Sequence, residues 1–187
     1  MKYLFIGLGN VGAEYEHTRH NIGFDVLDEL AEQRKLTFDA VKHGAMAIDK
    51  YAGKQFYLLK PNTFMNLSGR AFNYWMNELS IPLEKIMVVV DDIALPLGKL
   101  RVRGKGSSAG HNGLKDIEQT LGHNKYNRLR FGIGDSFSPG RQIDFVLGKW
   151  KENERTEVEI AKKFAADALL YFMKHGLNNA MTQFNQK

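Results

Sequence analysis

Cysteine is absent from the 187 residues. That excludes a disulfide framework, a thiolate-held zinc or iron–sulfur centre and a thiol nucleophile, and it fits a reducing compartment. Proline is scarce, with four residues at positions 61, 82, 96 and 139, and no Ser/Gly-rich linker or internal repeat divides the chain. No apolar run approaches the ~20 residues of a membrane-spanning helix. Before Gly7 only Tyr3, Leu4, Phe5 and Ile6 follow the charged Lys2, too short a stretch for a signal-peptide core. The G-x-S-x-G match at Gly106-Ser107-Ser108-Ala109-Gly110 lies in a flexible glycine-rich loop rather than at a sharp strand-to-helix elbow, so an acyl-enzyme route has no evident serine. Strong charge imbalance is lacking too: 26 Lys and Arg against 21 Asp and Glu leave +5, a mild lean toward an anionic partner. What is present, 43% apolar and 25% charged residues, is the composition of a globular protein. The expectation is one cytoplasmic domain spanning residues 1–187.

Periodicity supplies the elements. Residues 3–6 form a short apolar run closed by Gly7, the pattern of a buried strand. Residues 20–34 place Ile22, Phe24, Val26, Leu27, Leu30 and Ala31 at helical spacing, with Thr18 and Asn21 as candidate caps. Residues 45–51 and 55–59, parted by Ala52-Gly53-Lys54, predict a hairpin. A helix over 65–79 is expected to bury Leu67, Ala71, Trp75 and Met76. Residues 86–90 are continuously apolar and mostly β-branched, the mark of a strand covered on both faces, and they end at Asp91-Asp92. Residues 99–103 and 128–133 alternate cationic and apolar side chains, as half-wet strands do, with a helix over 112–121 between them. A long amphipathic helix over 152–175 stops at Gly176, and a short one carries Leu177, Ala180, Met181 and Phe184. Strands interleaved with helices predict a three-layer α/β/α domain around a twisted mixed sheet.

Several constellations could carry chemistry. Gly7-Leu8-Gly9-Asn10-Val11-Gly12 fits G-x-G-x-x-G, but the polar stretch 13–19 delays the helix, and no acidic residue ends a second strand at the required distance. The glycines read better as a strand-to-loop turn that presents Asn10. His20 opens the first helix; His17 and His20 lack a third ligand at metal-binding spacing, so no metal is expected. Asp91 could orient an imidazole or serve as a turn residue. Asn10, Asn66 and Asn112 offer uncharged donors and acceptors for a peptide, a ribose or an oxyanion; Asn66 and Asn112 fit helix caps equally. Lys99, Arg101 and Arg103 share a strand face, Lys105 follows, and Arg128 and Arg130 share another face. If those strands adjoin, they form a stripe suited to a few phosphates.

Taken together these segments resemble the bacterial-type peptidyl-tRNA hydrolase family. The matching stretches are Gly7-Leu8-Gly9-Asn10-x-Gly12, Tyr15-x-x-Thr18-Arg19-His20-Asn21-x-Gly23 and Pro61-x-Thr63-Phe64-Met65-Asn66-Leu67-Ser68-Gly69. Asp91-Asp92-x-x-Leu95-Pro96-x-Gly98, Gly110-His111-Asn112-Gly113-Leu114-Lys115, Arg128-Leu129-Arg130-x-Gly132-Ile133-Gly134 and Phe145-Val146-Leu147-Gly148 continue in family order. Val11 stands where the family usually has proline. The resemblance implies that His20 is a general base on water, that Asp91 favours its proton-accepting form, and that Asn10 distinguishes blocked from free aminoacyl groups. It implies that Tyr15, Phe64, Met65, Asn66 and Asn112 meet the tRNA 3′ end or its peptide. Arg103, Lys105, Arg128 and Arg130 fall in the region expected to meet acceptor-stem phosphates. Peptidyl-tRNA is thus the implied partner, with no cofactor, no metal and a monomeric enzyme. A binding module that has lost catalysis, as in organellar relatives that assist RNA splicing, is the alternative; hydrolysis of N-blocked aminoacyl-tRNA separates the two.

Overall fold

Alternate residues of the first strand, β1 (Lys2–Gly7), enter different cores. Tyr3 and Phe5 pack on one side of the sheet, Leu4 and Ile6 on the other, and all four are buried. Burial of a side chain such as Phe5 stabilises the fold by roughly 1.5–3 kcal/mol. The computed structural model describes residues 1–185. Its remaining strands are β2 (Asp39–Val41), β3 (Gly44–Tyr51), β4 (Lys54–Pro61), β5 (Ile86–Asp92), β6 (Leu100–Arg103) and β7 (Asn127–Gly132). They form a single mixed sheet in the order β2-β3-β4-β1-β5-β7-β6. Strands β4, β1, β5 and β7 run parallel, whereas β2, β3 and β6 pair antiparallel at the flanks.

Helices α1 (Ile22–Gln33), α5 (Glu152–His175) and α6 (Leu177–Phe184) cover the face carrying Tyr3, Phe5 and Val89. Helices α2 (Ser68–Glu78) and α3 (Asn112–Leu121) cover the face carrying Leu4, Ile6, Val88 and Val90. The predicted single-domain α/β/α architecture is the one observed. Among the described residues no helix is long and apolar enough to cross a membrane.

Local departures from the expected elements have physical causes. The hairpin turns at Ala52 and Gly53, both at positive φ (50° and 74°), as a two-residue type I′ turn requires. The first helix begins at Ile22, after a 3-10 turn over Arg19–Asn21. Thr18 and Asn21 do not cap it: the Thr18 hydroxyl donates to Tyr15 C=O, and Asn21 reaches back to Asn10. Leu67, expected inside, is 37% exposed. The chain enters α2 through another 3-10 turn, Met65–Leu67, in which Met65 is the buried residue. The short β2 and the five-residue α4 (Gln142–Val146) carry too little periodicity to be anticipated.

Gly7 and Gly23 let α1 meet the sheet backbone to backbone. A Cβ on Gly23 would lie 2.5 Å from both Leu8 N and Val89 O, and one on Gly7 would lie 2.2 Å from Gly23 O. Only glycine permits that approach. It brings the start of α1, and His20 with it, down onto the C-terminal ends of β1 and β5.

Candidate active site

The crevice beyond the carboxyl ends of parallel strands is where open α/β sheets hold ligands. Here β5 delivers Asp91 to that crevice and the turn before α1 delivers His20. Nδ1 of His20 lies 3.0 Å from Oδ2 and 3.1 Å from Oδ1 of Asp91. With the hydrogen on Nδ1 directed at the carboxylate, Nε2 keeps its lone pair. The side chains are 15% and 4% exposed, respectively. Burial alone would push the Asp91 carboxyl up, but the imidazoles of His111 and His20 outweigh it and hold the group well below the usual carboxylate range. Burial alone would lower the His20 pKa, yet the Asp91 charge and hydrogen bond prevail and raise it above its ordinary value.

His111 was not singled out from the sequence, yet its Nε2 lies 2.8 Å from Asp91 Oδ1. Its Nδ1 accepts from the backbone N–H groups of Gly113 (3.1 Å) and Leu114 (3.4 Å), capping α3. The ring's hydrogen therefore belongs on Nε2, facing the carboxylate. The two imidazoles stand with centroids 5.0 Å apart. A histidine in a glycine-bearing turn before a helix is a visible cap signal, but nothing local says that it reaches a residue 20 positions earlier.

His20 is held by the residues on either side of it. The Arg19 guanidinium donates to Phe145 C=O at 3.1 Å and to Glu154 at 2.9 Å, and stacks on Phe145. Asn21 accepts from Asn10 N–H at 2.9 Å and donates to Asn10 C=O at 2.8 Å. The Asn10 side-chain oxygen in turn accepts from Met65 N–H at 3.0 Å, which orients its carboxamide. Buried Met65 also meets the start of α3, since a Cβ on Gly113 would lie 2.7 Å from its sulfur. Phe64 and Asn66, its neighbours, are exposed, Phe64 by 69%. Tyr15 is half-buried in the turn preceding His20. A cavity of about 110 Å³ is lined by His20, Asp91, Asn112, Arg130, Ile143 and Val146. A larger one, about 540 Å³, is bordered by Asn10, Asn21, Phe24 and Lys60, with Asp25 and Asp28.

Strands β6 and β7 do adjoin, with Arg101 opposite Arg130 and Arg103 opposite Arg128. Arg103 is half-buried and Lys105 is exposed in the loop that follows. Arg130 opens on the His20 cavity, donates to Ser107 C=O at 2.6 Å and lies 3.6 Å from Asp92. Arg128 corrects the expected stripe, because its side chain is 0% exposed. Its guanidinium donates to the carbonyls of Asn124 (2.6 Å), Gly106 (2.7 Å) and Tyr126 (2.9 Å) and stacks 3.8 Å from the Tyr126 ring. Strand alternation put it on the charged face correctly, but loops cover that position.

The ring nitrogens of His20 and His111 and the Asp91 carboxylate lie within 4.8 Å of one another, the one such cluster among the described residues. A metal would need the lone pairs of the nitrogens facing Asp91. On His111 that nitrogen carries the hydrogen, because the other accepts two backbone N–H groups. The cluster thus fits a hydrogen-bonded relay better than a coordination site.

A family model described as Peptidyl-tRNA hydrolase matches residues 4–187. Proteins named peptidyl-tRNA hydrolase from Cytophaga hutchinsonii and Phocaeicola vulgatus are each 52% identical over 187 residues, covering 100% of both chains. The crystal structure of peptidyl-tRNA hydrolase from Acinetobacter baumannii superimposes with a TM-score of 0.91 at 34% identity, covering 98% of this chain and 94% of that one. Glycines that seat α1 on the sheet, a histidine–aspartate pair at the crevice and this end-to-end similarity agree: the chain belongs to the peptidyl-tRNA hydrolase family.

Proposed function

We propose that the chain hydrolyses the ester between a peptide and the 3′-terminal ribose of tRNA, releasing both for reuse in translation. Nε2 of His20 takes a proton from water as the water oxygen attacks the ester carbonyl. The tetrahedral intermediate collapses with release of the ribose oxygen, which recovers the proton from His20. Asp91 holds the imidazole in the tautomer that exposes Nε2 and stabilises the imidazolium formed on the way. Asn10, fixed by Asn21 and Met65, reads the blocked amino group. Asn66 and Asn112 hold the peptide and terminal nucleotide, and one carboxamide donates to the oxyanion, a contribution of about 10²–10³ in rate. Tyr15 and Phe64 contact the 3′ end. Arg103, Lys105 and Arg130 take acceptor-stem phosphates, while Arg128 supports their loop from beneath. The enzyme works in the cytoplasm as a monomer without metal, so chelators leave its rate unchanged.

The observation that supports this most is the contact between His20 Nδ1 and a buried carboxylate, with Nε2 left as the acceptor. Hydrolysis of N-acetyl-aminoacyl-tRNA by wild type and His20→Ala tests it. The variant is expected to lose about 10²–10⁴ in kcat with tRNA affinity unchanged. Because His20 titrates above its ordinary value, kcat/KM should rise with pH through a midpoint above about 6.5. Full turnover by the variant overturns the reading.

A further inference from the structure

We propose that His111 is a positioning residue that fixes the Asp91 carboxylate beside His20 and ties it to the start of α3. The proposal rests on the general-base reading of His20, and its geometry is independent of that reading. One carboxylate oxygen, Oδ1 of Asp91, lies between the two imidazoles: 3.1 Å from His20 Nδ1 and 2.8 Å from His111 Nε2. His111 is itself immobilised, with an 8% exposed side chain and Nδ1 engaged by two backbone N–H groups. It therefore has two separable duties, one per ring nitrogen. Nε2 donates to Asp91, and Nδ1 caps the helix whose first residue is Asn112.

The electrostatic consequence has a definite sign. A donor on Asp91 draws charge away from the oxygen that faces His20, which moderates the hold of the carboxylate on the imidazolium. Without that donor the carboxylate acts on His20 alone, and His20 retains its proton to higher pH. The other charged groups near the ring do not reverse this. Asp92 and Arg130, from β5 and β7, face one another at 3.6 Å, and Arg19, adjacent in the chain, is paired with Glu154 at 2.9 Å. From α4 the cavity receives the uncharged Gln142, Ile143 and Val146.

The two duties can be removed one at a time. In His111→Asn the carboxamide oxygen can cap α3, asparagine being among the best caps, but the side chain is too short to donate to Asp91. In His111→Gln the carboxamide nitrogen reaches about as far as Nε2, while the short-range acceptor is lost. His20 titration is followed by NMR of its ring in the intact protein, beside the pH profile of kcat/KM on N-acetyl-aminoacyl-tRNA. His111→Asn should raise the His20 midpoint by about one pH unit, with the acid limb of kcat/KM moving by the same amount and roughly tenfold less activity below it. His111→Gln should keep both midpoints while lowering the melting temperature. An unchanged midpoint in His111→Asn, an equal shift in both variants, or loss of fold in His111→Asn overturns the proposal. Failure of the base assignment shows separately, as a ring that titrates as expected while the kcat/KM limb does not follow it.

Discussion

The His20 crevice and the β6–β7 edge are both built from charged residues near the ends of strands, yet they use charge differently. In the crevice, opposite partners are matched within hydrogen-bonding distance and each is pinned by its chain neighbours: His20 by Arg19 and Asn21, and His111 by the start of α3. At the edge, like charges are stacked: Arg101, Arg103, Arg128 and Arg130 occupy one face of two paired strands. The two inner guanidiniums each have a carboxylate nearby, Glu118 3.7 Å from Arg128 and Asp92 3.6 Å from Arg130, and differ most in depth. Arg128 is submerged and its donors are taken by backbone carbonyls, whereas Arg130, two residues on, stays 11% exposed at the mouth of the crevice. A count of cations along a strand therefore overstates the surface open to phosphate. A guanidinium can be buried where carbonyls supply its hydrogen bonds.

The contrast can be broken experimentally. Asp91→Asn should have the largest effect, about 10⁴-fold in kcat, because an amide can direct a hydrogen at Nδ1 and stabilise the wrong tautomer. Single-turnover hydrolysis measures it. The acid limb of the residual activity should move to lower pH, since the charge that raises His20 is gone; a loss below tenfold would mean that matched pairing does not dominate the crevice. Next, Arg128→Met should destabilise the protein by about 2–4 kcal/mol in urea unfolding, since it strands the carbonyls of Gly106, Asn124 and Tyr126. Lysine there should recover little, because a single ammonium cannot reproduce the planar fork. Arg130→Gln should instead leave stability alone and reduce by about one the slope of log affinity for tRNA against log salt. Identical salt behaviour of the Arg128 and Arg130 variants would erase the distinction between them. The smallest effect lies outside both regions: Ala52→Asn, at φ 50°, should stabilise the hairpin by up to about 1 kcal/mol with no change in hydrolysis.

Much of the scaffold was legible because its signals are local. The run Ile86 to Val90 can only be a strand with both faces covered, and Tyr51 to Lys54 spaces two alternating segments as a tight turn does. The helices at 152–175 and 177–184 announce themselves by apolar period and by Gly176. The site was legible in part. His20 and Asp91 stand out through resemblance, but from residues alone each had an ordinary structural explanation. What joins them is the backbone contact allowed by Gly7 and Gly23, and a glycine in a sequence does not say which backbone will approach it. The roles of His111 and Arg128 escaped for a related reason. Period two tells which way a side chain leaves a strand, and a cap pattern tells how a helix begins, but neither tells what lies overhead.

The bracket between Asn10 and Asn21 has a consequence for selectivity. Under the proposed assignment, the group that screens the amino terminus and the group that activates water are carried by the same short stretch, since Asn21 follows His20 directly and grips the Asn10 main chain at both its N–H and C=O. Screening and turnover are thereby geared to one another: a substrate that fails to seat against Asn10 is also misaligned with the imidazole. Loosening that gear, as Asn21→Ala would, should cost fidelity and speed together.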